Sequence, residues 1–502
     1  MANITPIGID DAIHVRGKHL YKRDGTQFTV KGIAFPTPPV NYMRSSAGYD
    51  AKAWLAILHQ LRVDLALDFN TIRLYRINPV QVNYNEFFEG AAQLGIYVIV
   101  PLTTANGVGV LDRTLPAPTC YNRNLFAYGA SAIVEYLQHP NVLAGMVGNE
   151  VMNDEEAWQA APCIRAYARD LKLFMDRMVD ENTTNRTLPL IYASQDSSVI
   201  GGAEMDKNQV MKLTADYLTC AENGKGTLVA DVANNEPEHG LQHFEENRFG
   251  QSPLDIIGIN VESWCSSTQN FLHNPDGTPG SYFSLHEALK NTSVPIIFTE
   301  MGCPHSQFDR DDLKRRTPEG TRDWAQVPIV VNEMADSWSG FIAYAYDGPK
   351  DFDIMSGGPW NGIDTLTPTN DFYNLKKQLD KVSSKKVHSV NESEDDIFLP
   401  RPCAEVESDL LSCCDLRIFN DDLMQSYQKT FNLQDEQANN IQPASGSNQT
   451  NNFWQAIVVL SACALYLTVR RICRLVSLRH SSTHDRWSGR NNGEIETKYG
   501  AI

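Results

Sequence analysis

Apolar positions along this chain fall into two alternating rhythms. Eight short, nearly continuous apolar runs read as strands buried on both faces: FTVKGIAF (28–35), NTIRLYRI (70–77), GIYVIVPL (95–102), NVLAGMVG (141–148), LPLIYAS (188–194), LDIIGINV (254–261), VPIIFTE (294–300) and GFIAYAY (340–346). Between most of them apolar residues recur at helical spacing, as in AKAWLAILHQL (51–61), NEFFEGAAQL (85–94), NLFAYGASAIVEYL (124–137) and APCIRAYARDLKLFMDRMV (161–179). Strands of this kind alternating with helices predict a parallel sheet covered on both sides. Eight such units in about 320 residues predict an α/β fold, a (β/α)8 TIM barrel rather than an open doubly wound sheet. No GxGxxG or Walker A sequence follows any run, which disfavours dinucleotide chemistry.

Past the last run the pattern changes. Residues 376–398 are polar and charged and read as a linker or solvated surface. Residues 401–433 hold Cys403, Cys413 and Cys414 and read as a small pad, and 434–452 read as a flexible stalk. The uncharged run FWQAIVVLSACALYLTV (453–469) is at the short end of the roughly 17–25 residues a membrane helix needs. Its alternative is a buried core helix. Arg470, Arg471, Arg474 and Arg479 follow it and place that side in the cytoplasm. A charged tail to Ile502 argues against a glycolipid-anchor signal. The expected division is a catalytic domain over 1–370, a linker, cysteine-containing segment and stalk over 371–452, a transmembrane helix over 453–469 and a cytoplasmic tail over 470–502. MANITPIGID has no apolar signal region, so either a signal peptide is missing from this chain or the helix itself drives insertion; the first is favoured.

Composition narrows the partners. The 502 residues are 42% hydrophobic and 21% charged, an ordinary globular balance with room for one large domain. A net charge of -18 argues against nucleic acid or anionic lipid as partner for the bulk of the chain. Ten cysteines lack metal-site spacing, and nothing in the pattern calls for a metal or organic cofactor. Asn3, Asn182, Asn185, Asn291, Asn391 and Asn448 each begin Asn-x-Ser/Thr, which favours an oxidising, extracytoplasmic setting. The expectation is a single-pass plasma-membrane protein with its catalytic domain outside.

In a TIM barrel the active site lies at the C-terminal ends of the strands. Glu150 closes the fourth run and Glu300 the seventh, on opposite sides of the ring, so their side chains can converge across its mouth. Two facing carboxylates are what glycosidic bond cleavage requires: one protonates the departing oxygen, the other stabilises or attacks the anomeric carbon. Asn149 is placed to bind the 2-hydroxyl of a sugar. Either glutamate alone is more often a solvated loop residue; the pair, at these two strand ends, favours chemistry.

RLYRINP, GNEV, YASQDSS, DYLTC, GINVESWC, FTEMGC and WSGFIAYAY occur in the order of comparable motifs in glycoside hydrolase family 72, and over about 28–366 the chain resembles these β-1,3-glucanosyltransferases. The resemblance implies a retaining enzyme that cuts a β-1,3-glucan internally and transfers the new reducing end to an acceptor glucan. It implies Glu150 as acid/base, Glu300 as nucleophile, and Tyr75, Asn149 and Tyr344 as substrate-binding residues; Trp264 and Glu262 are further substrate-binding candidates from their place at the rim. Arg73 either pairs with Glu300 or is a structural arginine. Cys265 and Cys303 resemble a family disulfide, and Cys220 resembles a cysteine bridged beyond the barrel, with Cys403, Cys413 and Cys414 as open alternatives.

The chain also departs from the family. Glu262 stands where a tyrosine is usual, Pro36 replaces a glutamine and Pro101 an aspartate, and two cysteines near the second strand are missing. Glu262 is either a third carboxylate at the site or a solvated replacement. Trp264, Tyr346 and Trp360 are aromatic platforms for sugar or simply packing. Three activities follow: glucanosyl transfer, endo-β-glucanase hydrolysis, or glucan binding by a catalytically impaired surface protein.

Overall fold

The computed structural model describes residues 4–36, 49–221, 252–261, 281–302, 322–346, 352–358, 363–382 and 403, less positions 105–106, 108, 155, 196–198, 201–202 and 205. The chain divides into two units, Met1–Asp421 and Asp422–Ile502, and every described residue belongs to the first. The expected membrane segment at 453–469 therefore lies outside the described residues. Among those described, no helix is long and apolar enough to cross a membrane.

All eight apolar runs form strands, and the strands close into one parallel barrel. They are β1 Val30–Phe35, β2 Thr71–Leu74, β3 Tyr97–Pro101, β4 Val142–Asn149, β5 Leu190–Gln195, β6 Ile256–Val261, β7 Ile296–Met301 and β8 Trp338–Ala343. Neighbours in sequence are neighbours in the sheet, and β8 returns to pair with β1. That closure brings the strands close together: Gly340 has φ +120, and a Cβ there would lie 2.0 Å from the carbonyl oxygen of Val30. No other residue type fits without moving a strand. Ile99, Ala144, Ile191, Ile256, Ile297 and Ile342 belong to the apolar core, all at or near zero exposure.

Helices α1 Ala51–His59, α2 Asn85–Gln93, α3 Arg123–Leu137, α4 Ala161–Asp180, α5 Lys207–Thr219 and α6 Ser281–Leu289 follow β1 to β6, and a last helix, α7, spans Asn370–Val382. Several start on a side-chain cap that satisfies otherwise orphaned backbone donors: Asp50 for α1, Asn122 for α3 and Asp206 for α5. Between β7 and β8 the described residues hold only a short π-helical turn, Ile329–Glu333. Helix α7 buries Phe372, Leu375 and Leu379 and carries the packing beyond residue 370.

A three-stranded antiparallel sheet, His14–Arg16, His19–Tyr21 and Gln27–Phe28, precedes the barrel. Leu20 and Phe28 join the barrel's own core cluster, and Phe28 packs edge-on against Tyr97 at 4.9 Å. Because Phe28 lies just before β1 and Tyr97 opens β3, this sheet is a floor at the N-terminal end of the strands. The opposite end, where the strands finish, is the mouth.

Two disulfides appear among the described residues. Cys120–Cys163 ties the segment ahead of α3 to the first turn of α4. Cys220–Cys403 resolves the open choice of partner for Cys220, and the Cys403 N–H donates to the carbonyl of Ala221 at 3.0 Å. The expected Cys265–Cys303 pair lies outside the described residues.

Candidate active site

Period-2 alternation sends Arg73 and Tyr75 of the β2 run to the same, inward face. Arg73 is 1% exposed, and its guanidinium is the hub of the mouth. Its Nη1 donates to Glu300 Oε1 at 3.0 Å, to the carbonyl oxygen of Thr299 at 2.9 Å and to Asn260 Oδ1 at 3.4 Å. Its Nη2 donates to Asn149 Oδ1 at 2.6 Å and to Met146 Sδ at 3.2 Å. Of the two readings of Arg73, the geometry selects the ion pair with Glu300.

Glu300 is the penultimate residue of β7 and is 5% exposed. Besides Arg73, the hydroxyl of Tyr75 donates to the same Oε1 at 2.8 Å. Arg73 also lies 4.2 Å from the centre of the Tyr75 ring. Burial lifts the Tyr75 hydroxyl well above its ordinary range; Arg73 opposes this and Glu300 reinforces it. The phenol therefore stays protonated and acts as a donor. Tyr344, just past β8, meets the Tyr75 ring edge-on at 6.5 Å.

Glu150 follows β4 directly. It has φ +48, a left-handed conformation uncommon for a residue with a side chain. Contacts hold it there: its N–H donates to the carbonyl of Ala193 on β5 at 2.9 Å, and its own carbonyl accepts from Arg113 at 3.5 Å. The turn beyond is fixed as well, since Met152 N–H donates to the Tyr192 hydroxyl at 3.2 Å and Gln195 Nε2 to the Asn153 carbonyl at 2.7 Å. The side chain is half-buried, and its Oε1 accepts from Asn260 Nδ2 at 2.8 Å. Strands β4 and β7 stand three places apart around the ring of eight rather than diametrically opposed, with β5 and β6 on the shorter arc. Asn260, on β6, spans that gap.

Asn149 Oδ1 accepts from both Arg73 and Asn260, which fills its carbonyl side and leaves its two amide N–H groups as its donors. Gly302, just after β7, has φ +150, and a Cβ there would lie 2.8 Å from Arg322 Nη1 and 2.9 Å from the carbonyl oxygen of Tyr344. The backbone beyond Glu300 thus requires glycine.

The structure brings together Glu150, Glu300, Tyr75, Asn149 and Tyr344 of the expected site. Glu262, Trp264 and Trp360 lie outside the described residues. Tyr346 is fully buried and stacks on Phe35 at 4.5 Å, so it packs and is not a platform for sugar. Sequence reasoning passed over Asn260 and Arg113. The signal for Asn260 was a lone amide inside the apolar run LDIIGINV; Arg113, in a loop, had none.

Comparison with known proteins identifies the family. Residues 8–383 match the family model described as glucanosyltransferase, glycoside hydrolase family 72. Among curated relatives, 1,3-beta-glucanosyltransferase PGA4 of Candida albicans is 27% identical over 321 residues, 63% of this chain and 56% of that protein. The Aspergillus fumigatus 1,3-beta-glucanosyltransferase gel2 is 26% identical over 330 residues, 65% of this chain and 56% of that protein. The chain therefore spans little more than half the length of these relatives. Among solved structures, Saccharomyces cerevisiae Gas2p in complex with laminaripentaose superposes with a TM-score of 0.56 at 24% identity, over 78% of this chain and 73% of that one, a likeness of fold. With three quarters of its length matched by the family model, the chain belongs to the glucanosyltransferase family, glycoside hydrolase family 72.

Proposed function

We propose that this protein cuts β-1,3-glucan internally with retention and transfers the new reducing end to a second glucan chain. The observation that carries this reading is the unequal treatment of two carboxylates in one mouth. Glu300 receives a guanidinium and a phenol on one oxygen, surroundings suited to an anionic nucleophile. Glu150 receives, among the described residues, only a neutral amide on its carboxyl group, surroundings compatible with a proton carrier.

In the first step Glu300 attacks the anomeric carbon while Glu150 gives its proton to the departing glycosidic oxygen, leaving a glycosyl ester on Glu300. In the second, Glu150 takes the proton from an acceptor hydroxyl, that oxygen bonds to the anomeric carbon and the ester breaks. One glycosidic bond is lost and one is formed. Asn149 offers its N–H groups to the sugar bound between the carboxylates, and Tyr75, edge-on to Tyr344, stands beside it on Glu300.

We also propose that residues beyond the barrel comprise a linker and stalk to 452, a membrane helix over 453–469 and a cytoplasmic tail, with the catalytic unit outside the cell. The apolar run, the arginines that follow it and the sequons support this.

The test is to incubate the full-length protein with end-labelled laminari-oligosaccharides and size the products. Longer products indicate transfer, shorter ones alone indicate hydrolysis, and binding without turnover indicates a glucan-binding role. Glu150→Gln and Glu300→Gln should each abolish turnover on these sugars; full activity in both would overturn the site.

A further inference from the structure

Asn260 is 2% exposed, and all its hydrogen-bonding capacity is spent within the site. Its Oδ1 accepts from Thr299 Oγ1 at 2.8 Å and from Arg73 Nη1 at 3.4 Å. Its Nδ2 donates to Asn149 Oδ1 at 3.0 Å and to Glu150 Oε1 at 2.8 Å. Two donors on the oxygen and two acceptors on the nitrogen match an amide's inventory in full. Turning the amide over would set its N–H groups against Arg73 and its oxygen against the oxygens of Asn149 and Glu150, so only one orientation is allowed.

We propose that Asn260 is a positioning residue that selects which oxygen of Glu150 carries the transferable proton, and that it couples this choice to the Arg73–Glu300 pair. The inference rests on the reading of Glu150 as proton donor. In a neutral carboxyl group the carbonyl oxygen is the better acceptor, so an N–H fixed on Oε1 assigns the proton to Oε2. In the first step the Oε2–H bond breaks, its proton passes to the glycosidic oxygen, the anomeric C–O bond breaks and the Glu300 ester forms. When the acceptor attacks, Oε2 is the base that recovers a proton. Arg73 binds Glu300 directly and, by holding Asn260 Oδ1, orients the amide that aims Glu150. One guanidinium thereby sets both carboxylates.

The chain of contacts predicts an effect that depends on the leaving group. A sugar hydroxylate needs the proton from Glu150, whereas fluoride departs with little assistance. In the full-length protein, Asn260→Ala should lower kcat/KM on laminari-oligosaccharides by about 100-fold, the lower end of what a positioned acid supplies. KM should stay within about 3-fold, and kcat/KM on β-laminaribiosyl fluoride should fall by less than about 5-fold. Asn260→Asp keeps an acceptor for Arg73 and Thr299 and removes the N–H donors. It should show the same split, and it carries the test if the alanine variant does not fold.

Equal losses on both donors would overturn the inference, because the amide would then serve Glu300 or the barrel itself. Unchanged activity on both would overturn it too. Glu150→Gln run alongside separates the two levels of the argument. A leaving-group split in Glu150→Gln without one in Asn260→Ala removes only the role of Asn260. Absence of the split in Glu150→Gln removes the reading of Glu150 as proton donor and the Asn260 inference with it.

Discussion

Asp371 takes both the backbone N–H and the guanidinium of Arg322, and neither side chain has any contact with solvent. The pair is far from isolated. Arg322 Nη1 donates to the Tyr344 carbonyl at 2.5 Å and Nη2 to that of Phe352 at 2.7 Å, while the guanidinium lies 4.5 Å from the centre of the Trp324 ring. Helix α7, which carries Asp371, is thereby connected to the backbone of a residue at the mouth. Removing one partner strands a buried charge, so Asp371→Ala should cost about 3–5 kcal/mol in urea unfolding. A loss within the few tenths typical of a surface change would contradict this account.

Arg73 offers a sharper separation of charge from geometry. A lysine at this position keeps the positive charge but presents one nitrogen, which cannot reach both Glu300 and Asn149 as Nη1 and Nη2 do. Arg73→Lys should lower kcat/KM on laminari-oligosaccharides by about 100- to 1000-fold, the range seen when a preorganised donor is lost. Activity near that of the parent would mean that charge alone suffices.

The Cys120–Cys163 bridge closes 43 residues, a span that includes β4 and Glu150. On a chain-entropy view a loop of that size contributes about 4 kcal/mol. Cys120→Ser combined with Cys163→Ser should lower the melting temperature by several degrees or more. Peptide mapping under non-reducing conditions should recover the two cysteines linked; finding both alkylated as free thiols would refute the pairing.

His139, between α3 and β4, is buried against Phe88 at 4.8 Å and hydrogen-bonded through Nε2 to Asn85 Oδ1 at 3.0 Å. Burial, with the nearby Arg186 adding to it, moves the imidazole from 6.5 down to about 4. The fold thus prefers the neutral ring. Its contribution is complete above 6.5, and it is lost as pH falls from 6.5 toward 4, because the unfolded chain takes up the proton first. Thermal melts over that interval should show stability declining, with a shallower decline in His139→Gln. Parallel slopes for the two proteins would remove His139 as a cause.

Much of the architecture was readable from the order of residues because the barrel needs apolar runs of one kind eight times over, and a two-faced strand cannot disguise that. Glu150 and Glu300 were readable because each is an acid at the end of such a run. What stayed hidden depends on contacts between distant elements. Arg73 could be named but not assigned, since its partners on β4, β6 and β7 lie 73 to 227 positions away. Asn260 sits among apolar neighbours with no motif to mark an amide as a bridge. Cys120 and Cys163 are paired by the packing of α3 on α4, which spacing alone does not encode.

The Cys220–Cys403 bridge has a consequence for access. Arg165, five residues into α4, donates through Nη1 to the Tyr217 carbonyl at 2.6 Å and through Nη2 to the Cys220 carbonyl at 2.7 Å and to Cys403 Sγ at 3.0 Å, so the bridge is seated on the outer layer of helices. The backbone contact between Cys403 and Ala221 fastens the returning polypeptide there as well. Residue 403 is thus fixed on α4 and α5, outside the ring of strands that carries the carboxylates, so at that point the chain does not stand between them and a long polymer.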